Sequence, residues 1–392
     1  MSIKCSYLKK IVTILLIAFP AFATVYGQSN KTTYKLVKTI RGKISPKSIV
    51  NCGNNLFFVQ NMMYHHSITV YDSLFNLVAT ISDSVKPANF GYKDITCELH
   101  GSPVESAATK DGKYIWVSNY CMYGAGYTNP GCDTCCKTKH DASFVYKINT
   151  KTYKIENIIK VGSVPKYLSI TPDQKKLVVS NWCSGDVSII DLSTEKEIKR
   201  LSIGRAPRGI AFDTASKYAY IAIMGSDKII QLDLENYHTQ TLASGLQNPR
   251  HLCVQHNYLY ASLNGEGNIC RINLSSHKVT KLAVGKAPRS MVLSASKNKL
   301  FVNCYEDSKV SVIDLNSFKL ESEIKTSAYP IGICLNNENK QVWVSCYPGY
   351  VQVFDEVGST TDKLVGSTTG NYKQSLGGAG NPRPNGSSGQ AK

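Results

Sequence analysis

The chain has 392 residues, of which 42% are hydrophobic and 19% are charged. This composition excludes a chain that is disordered throughout, and it also excludes collagen-like and coiled-coil proteins. Lys and Arg number 45 against 28 Asp and Glu, which gives a formal charge of +17, and there are 13 cysteines.

The first 27 residues have the pattern of a secretory signal peptide. Lys4, Lys9 and Lys10 precede an apolar run from Ile11 to Ala23, and small residues suited to cleavage follow. The run is too short to cross a bilayer comfortably, and no other stretch reaches about 18 apolar residues, so the chain is not expected to span a membrane. We therefore predict that residues 1–27 are a signal peptide and that the protein is exported, to the periplasm, the cell surface or the extracellular space.

Seven segments between Tyr34 and Val357 repeat one pattern. Each starts at a proline and contains a short apolar strand, a turn, a Val-, Tyr- or Trp-rich strand, a third strand ending in Asp or Asn, and a Lys-rich fourth strand. The anchor prolines are Pro46, Pro103, Pro165, Pro207, Pro249, Pro288 and Pro330. Four strands in units spaced by 57, 62, 42, 42, 39 and 42 residues are typical of a propeller. The sequence predicts an all-β, seven-bladed β-propeller over residues 34–357.

The seventh unit stops at VQVFDEV and lacks a fourth strand. The matching segment, YKLVKTIRG from Tyr34 to Gly42, lies before the first anchor proline. We expect this N-terminal strand to complete the last blade and to close the ring, because closure removes exposed sheet edges.

One unit carries a family resemblance. The segment VGSVPKYLSITPDQKKLVVSNWCSGDVSIIDLSTEKEIKRLSIG resembles the YVTN-type β-propeller repeat, and the chain from Tyr34 to Val357 is similar to the YncE-like secreted proteins. Proteins with this repeat include lactone hydrolases, electron-transfer subunits and binding scaffolds. The resemblance therefore implies the fold and leaves the function open.

Two units are longer than the others. The extra residues fall near 84–100 in the first unit and near 121–143 in the second. In a propeller, the link from a fourth strand to the next blade and the link from a second to a third strand open on the same face. Both insertions are therefore predicted to lie side by side on one face.

Cysteines are concentrated around these insertions. The six in this region are Cys97, Cys121, Cys132, Cys135, Cys136 and Cys183. Export makes them candidates for disulfide bonds. The alternative is a Zn or Cu site at Cys132, Cys135, Cys136 and His140, because thiolate and imidazole are suitable ligands for these metals. Otherwise no cofactor is predicted.

The residues that directly follow the anchor prolines, which we call the post-proline ring, are mostly cationic. They are Lys47, Val104, Lys166, Arg208, Arg250, Arg289 and Ile331. This position begins the strand nearest the axis, so the cations are predicted to surround the mouth of the central channel on the face that bears the insertions. Like charges about 10 Å apart repel by roughly 0.4 kcal/mol at a water-like dielectric and by about 1.7 kcal/mol at an effective dielectric of 20.

Five neighbouring cations therefore need counter-charge, and two sources are open. Acids on the same face are one source: Glu105, Asp186, Asp227, Glu266, Glu306 and Asp307. The other is a ligand whose carboxylate or phosphate groups accept hydrogen bonds from the arginines.

We interpret the chain as a non-enzymatic binding or interaction module with a cationic channel mouth. Its partner would be a protein or an anionic small molecule or glycan, and an outer-membrane or cell-surface complex fits an exported protein. Export and the lack of a nucleic-acid-reading motif argue against DNA or RNA. The alternative is a lactonase-like hydrolase using Arg208, Arg250 and Arg289, with Glu105 and His251 as the catalytic candidates.

Residues 358–392 are rich in Gly, Ser, Asn and Thr and are predicted to be a disordered tail. This tail and the signal peptide each carry three net positive charges, so +11 of the total of +17 belongs to the segment between them.

Overall fold

The computed structural model describes residues 32–132 and 140–358, except 337 and 339. This part of the chain contains seven four-stranded antiparallel sheets, which confirms the predicted all-β, seven-bladed propeller. The proposed signal peptide and the tail beyond Gly358 lie outside the described residues.

The strands follow one another blade by blade. The N-terminal strand is β1 (Thr33–Ile40). Blade 1 contains β2 (Pro46–Asn51), β3 (Leu56–Asn61), β4 (Ser67–Asp72) and β5 (Leu77–Ser82). The first insertion contains β6 (Ser84–Val85), a 3-10 helix (Pro87–Phe90) and β7 (Leu99–His100). Blade 2 contains β8 (Pro103–Ala108), β9 (Tyr114–Asn119), β10 (Phe144–Asn149) and β11 (Ile155–Lys160). Blade 3 contains β12 (Pro165–Ile170), β13 (Lys176–Asn181), β14 (Asp186–Asp191) and β15 (Lys196–Ser202).

The remaining four blades have the same plan. Blade 4 contains β16 (Pro207–Phe212), β17 (Tyr218–Ile223), a 3-10 turn (Met224–Ser226), β18 (Lys228–Asp233) and β19 (Thr239–Ser244). Blade 5 contains β20 (Pro249–Gln255), β21 (Tyr258–Leu263), β22 (Asn268–Asn273) and β23 (Val279–Ala283). Blade 6 contains β24 (Pro288–Ser294), a 3-10 turn (Ala295–Lys297), β25 (Lys299–Cys304), β26 (Lys309–Asp314) and β27 (Lys319–Lys325). Blade 7 contains β28 (Pro330–Asn336), β29 (Gln341–Cys346) and β30 (Tyr350–Val357).

The N-terminal strand closes the ring as predicted. Strand β1 pairs antiparallel with β30, from Thr33 opposite Val357 to Ile40 opposite Val351, and supplies the outer strand of blade 7. Apolar residues from neighbouring blades fill the spaces between sheets; for example, Trp343 of blade 7 stacks on Phe57 of blade 1 with ring centroids 3.8 Å apart. The ring is therefore closed by one hydrogen-bonded ladder and by apolar packing on both sides of each blade.

Each anchor proline occupies the first position of an inner strand, where its missing N–H is tolerated. In every blade the register between the first and second strands shifts directly after this proline. A β-bulge leaves a residue out of the ladder and turns its side chain. The residues of the post-proline ring lie in these bulges, which explains why they share one level of the structure.

Close approach of inner strands brings these residues together. A Cβ on Gly209, next to Arg208, would lie 2.6 Å from the carbonyl oxygen of Arg250. A Cβ on Gly332, next to Ile331, would lie 2.8 Å from Cα of Ser48. Such distances admit only glycine, so these two positions fix the narrow separation of neighbouring blades near the axis.

In blades 1 to 6, the Asp or Asn at the end of the third strand forms a turn to the fourth strand. At Asp191, Oδ1 accepts hydrogen bonds from the backbone N–H groups of Ser193 and Thr194, at 2.9 and 2.8 Å, and from the Ser193 hydroxyl at 2.6 Å. These bonds, of which that from the Ser193 hydroxyl has the largest effect, lower the pKa of Asp191 to about 2. The repeated Asp or Asn therefore marks a turn, and where the residue is Asp the turn favours the ionised carboxylate.

This turn predicts a pH effect on stability. Since the folded pKa of Asp191 lies below its ordinary value, its contribution is fully present above that value and is lost as pH falls towards about 2. The variant Asp191→Asn keeps the accepting oxygen but cannot titrate. In urea unfolding, we expect the advantage of the wild type over D191N to shrink as pH falls from about 5 to about 2. A difference that stayed constant across this range would contradict the assignment.

Candidate functional site

All seven residues of the post-proline ring line a single cavity of about 680 Å³, which we call the axial cavity. Five are the predicted cations Lys47, Lys166, Arg208, Arg250 and Arg289, and the other two are Val104 and Ile331. The cations come from blades 1, 3, 4, 5 and 6, because each follows the anchor proline of its blade. The structure thus brings all five predicted ligand-binding residues to one place.

Several of these cations lie deep in the molecule. Lys47, Lys166 and Arg208 are only 7%, 7% and 5% exposed, while Arg250 and Arg289 are half-buried. A buried charge is costly unless other groups stabilise it. The surroundings of each cation therefore determine what the cavity can hold.

Glu105 connects cations from different blades. Its Oε1 atom lies 3.3 Å from Nζ of Lys47 and 3.9 Å from Nη2 of Arg208, so a strand of blade 2 contributes a carboxylate shared by blades 1 and 4. Burial lowers the pKa of Lys47, and Arg208, Arg250 and Arg289 lower it further, whereas Glu105 raises it. Glu105 is therefore the neighbouring group that favours the charged form of Lys47.

Four of the other five acids considered as counter-charges have contacts elsewhere. Glu266 lies 2.7 Å from Nζ of Lys281, and Asp227 accepts a hydrogen bond from the Asn248 backbone N–H at 2.9 Å. Asp307 accepts from the Lys286 backbone N–H at 2.8 Å, and Asp186 accepts from the Asn181 side-chain amide at 2.6 Å. These contacts assign the four acids to loops and turns around the ring.

Aromatic side chains form the next part of the wall. Tyr120, Trp182, Tyr305 and Tyr347 line the axial cavity, and each directly follows the second strand of its blade. The Arg289 guanidinium carbon lies 3.4 Å from the Tyr305 ring centroid, and Lys166 Nζ lies 3.9 Å from that of Trp182. Cation–π contacts of this kind stabilise partly desolvated cations and hold them in fixed positions.

Sequence reasoning missed these aromatic residues, although a signal was present. Their segments read SNY, SNW, NCY and SCY at one position of the repeat. The first blade adds Met62, Met63, Tyr64 and His66, and the second insertion adds Tyr123, whose ring stacks on His66 at 5.5 Å. The lining of the axial cavity therefore contains apolar and aromatic residues that the pattern of cations in the sequence did not predict.

A second cavity of about 340 Å³ is lined by residues further along the inner strands, including Glu105, Tyr167 and His251. His251 Nδ1 accepts a hydrogen bond from the Met291 backbone N–H at 2.8 Å, and its Nε2 lies 2.9 Å from the Tyr167 hydroxyl oxygen. The Nδ1 lone pair is thus occupied, which places the ring proton on Nε2. Burial, together with Arg208, Arg250 and Lys47, lowers the pKa of His251 to about 3.

This geometry bears on the hydrolase alternative. Both catalytic candidates, Glu105 and His251, line the second cavity, whereas Arg208, Arg250 and Arg289 line the axial cavity. The basic nitrogen of His251 is bound to a backbone amide, and the Glu105 carboxylate is bound to Lys47. A general base needs a lone pair within reach of the substrate proton, so the geometry does not favour this alternative.

The two insertions contact each other. The backbone groups of His100 and Tyr123 exchange hydrogen bonds of 2.9 and 2.8 Å, and Cys97 Sγ donates to the carbonyl oxygen of Ala125 at 3.4 Å. The first insertion therefore packs on the residues that begin the second. Tyr123, which makes this contact, also lines the axial cavity.

The predicted cysteine pairings stay predictions. Within residues 32–132 and 140–358, no disulfide bond joins two cysteines, and Cys121 Sγ donates to the Tyr123 hydroxyl at 3.3 Å. Cys183 Sγ lies 3.1 Å from the carbonyl oxygen of Cys132. Cys135 and Cys136 lie outside the described residues. These two cysteines are also two of the four residues of the metal alternative. Of its other two members, His140 has Nδ1 3.1 Å from the Asn129 side-chain oxygen.

No family model matches the chain. Over 210 residues it is 25% identical to antigen Lp49 of Leptospira interrogans serogroup Icterohaemorrhagiae serovar copenhageni (strain Fiocruz L1-130), a match that covers 53% of the chain. The chain spans only 38% of the length of that relative. Its fold is similar to Kuenenia stuttgartiensis hydrazine synthase, with a TM-score of 0.63, 16% identity, and coverage of 82% of this chain and 98% of that one. The structural likeness shows the fold alone.

The comparisons leave the resemblance to the YVTN-type repeat as a prediction.

None of the helices in the described part of the chain has the length and apolar character needed to cross a bilayer.

Proposed function

We propose that the chain is an exported β-propeller binding module that takes an anionic ligand in its axial cavity. The anion is either a small molecule or glycan, or an acidic group of a protein partner. The observation that carries the proposal is the convergence of five cations, from five blades, on one cavity of about 680 Å³. Export rests on the N-terminal sequence.

The positions of the cations support binding. Cavities of roughly 300–1,000 Å³ are typical of small-molecule sites. Arg289 is held against the Tyr305 ring, and a stacked guanidinium still directs its N–H donors within its own plane. Arginine in this arrangement is suited to forked hydrogen bonds with carboxylate or phosphate groups. Since the cavity walls are partly apolar and the cations partly buried, such bonds are stronger there than in water.

The test is calorimetric titration of the protein with citrate and with a hexaglutamate peptide, which represent the two kinds of anion. We expect the double variant Arg250→Met/Arg289→Met to weaken binding by about a hundredfold, because a hydrogen bond to a charged group contributes roughly 1.5–3 kcal/mol. Added salt is expected to weaken binding to the wild type.

The matched control is Arg271→Met. Arg271 also stacks on an aromatic ring, with its guanidinium carbon 4.4 Å from the centroid of Phe318, but it belongs to β22 and does not line the axial cavity. Binding should be unchanged in R271M. The proposal is wrong if neither anion binds at millimolar concentration, or if R271M loses as much affinity as the double variant.

A further inference from the structure

The cations of the axial cavity are not spread evenly around the axis. Lys166, Arg208, Arg250 and Arg289 follow the anchor prolines of four consecutive blades, 3 to 6, and form an arc. Lys47 of blade 1 is separated from both ends of this arc by Val104 and Ile331, each 1% exposed. The cavity therefore has a cationic arc on one side and a single lysine between apolar residues on the other.

One small anionic group cannot contact this whole arrangement. A carboxylate has two oxygen atoms and a phosphate monoester has three, and each oxygen contacts a cation only at hydrogen-bond distance. The Glu105 carboxylate is an example, because one of its oxygens lies 3.3 Å from Lys47 Nζ and 3.9 Å from Arg208 Nη2, which are two of the five cations. A ligand that contacts cations along the whole arc therefore carries at least two anionic groups held a few ångströms apart.

The aromatic residues are also unevenly placed. At the position after the second strand, blades 2, 3, 6 and 7 carry Tyr120, Trp182, Tyr305 and Tyr347. Blades 4 and 5 carry Met224 and Asn264 at that position. The middle of the cationic arc, at Arg208 and Arg250, is thus flanked on both sides by aromatic walls.

Of the four aromatic residues that follow the second strands, Tyr347 is the most exposed. Tyr347 is 37% exposed, and its ring meets Tyr305 edge to face at 6.3 Å. Tyr305 itself is covered by Arg289. An aromatic face beside a cationic arc favours a ligand with a flat body, because ring stacking and charge pairing then act on the same molecule.

Resting on the proposed function, we infer that the ligand is a compact ring-bearing anion with two or more carboxylate or phosphate groups. The anionic groups bind the arc, and the ring packs against Tyr347. An anion of equal charge without a ring contacts the arc but does not pack against Tyr347. A ring with one carboxylate packs against Tyr347 but contacts only part of the arc.

Three probes separate these contributions in titrations of the full chain. Benzene-1,3,5-tricarboxylate has the ring and three charges, propane-1,2,3-tricarboxylate has the charges alone, and benzoate has the ring with one charge. We expect the benzene tricarboxylate to bind about tenfold or more tighter than either of the other two.

A pair of tyrosine variants tests the ring contact. Tyr329 is 44% exposed and its ring lies 4.8 Å from that of Tyr305, but it does not line the axial cavity. We expect Tyr347→Ala to weaken binding of the benzene tricarboxylate by about tenfold and to leave the propane tricarboxylate unchanged. Tyr329→Ala should change neither.

The outcomes distinguish this inference from the proposed function. Equal affinities for the two tricarboxylates, or equal losses in Y347A for both, would overturn the ring-bearing ligand while leaving anion binding in place. Binding of benzoate as tight as that of its tricarboxylate would overturn the requirement for several anionic groups. If none of the three probes binds and citrate and hexaglutamate also fail, both proposals are wrong.

Discussion

A chain that starts at Gly42 is expected to lose its cooperative unfolding transition, whereas a chain that starts at Thr32 keeps it. The difference is strand β1, whose ladder with β30 runs from Thr33 to Ile40. Ile40 is 6% exposed and packs with Trp343 and Val351 in the core between blades 7 and 1. Its removal takes away a whole ladder and part of this core.

The deletion also creates a free edge on β30, which invites pairing with other chains. Circular dichroism during heating and size-exclusion chromatography measure the two effects. We expect the shorter chain to aggregate or to unfold over a broad range far below the transition of the control. A chain from Gly42 that stayed monomeric and unfolded in a sharp transition at the control temperature would show that the ring does not depend on this strand.

The second large effect is expected from Glu105→Gln. The side chains of its two partners, Lys47 and Arg208, are 9% and 6% exposed. Removal of one partner from a buried ion pair leaves uncompensated charge and costs about 3 kcal/mol of unfolding free energy. Urea unfolding near neutral pH measures this loss. The double variant Lys47→Met/Glu105→Gln also removes the Lys47 cation. It should recover a large part of the lost free energy of unfolding.

An exposed pair provides the control. Glu197 lies 2.9 Å from Arg200 on the outer strand β15, and the Arg200 side chain is 37% exposed. Exposed pairs of this kind contribute less than about 1 kcal/mol, so Glu197→Gln should have a small effect. If the anion site is formed as proposed, citrate should stabilise E105Q more than E197Q, because ligand binding to the folded state raises its stability. Equal free energies of unfolding for E105Q and the wild type would mean that Glu105 does not neutralise the cluster.

The repeat made much of the architecture predictable. Seven prolines defined seven blades, and the missing strand after Val357 together with the unassigned strand at Tyr34 predicted the closure. The five cations were found because equivalent positions of a repeat occupy equivalent places in a ring. The repeated Asp or Asn was recognised as a mark of the third strand, and the structure adds that it forms a turn in blades 1 to 6.

The repeat did not predict the contacts between different blades. Sequence determined that Lys47, Lys166, Arg208, Arg250 and Arg289 share one level near the axis. Only the tertiary structure decided that Glu105 reaches both Lys47 and Arg208, that His251 binds the Met291 amide, and that tyrosines and a tryptophan line the same cavity. The physical reason is that a repeat specifies the hydrogen-bonded register within a blade, whereas distances across the axis depend on the bulges, on the close approach at glycines and on the closure of the whole ring.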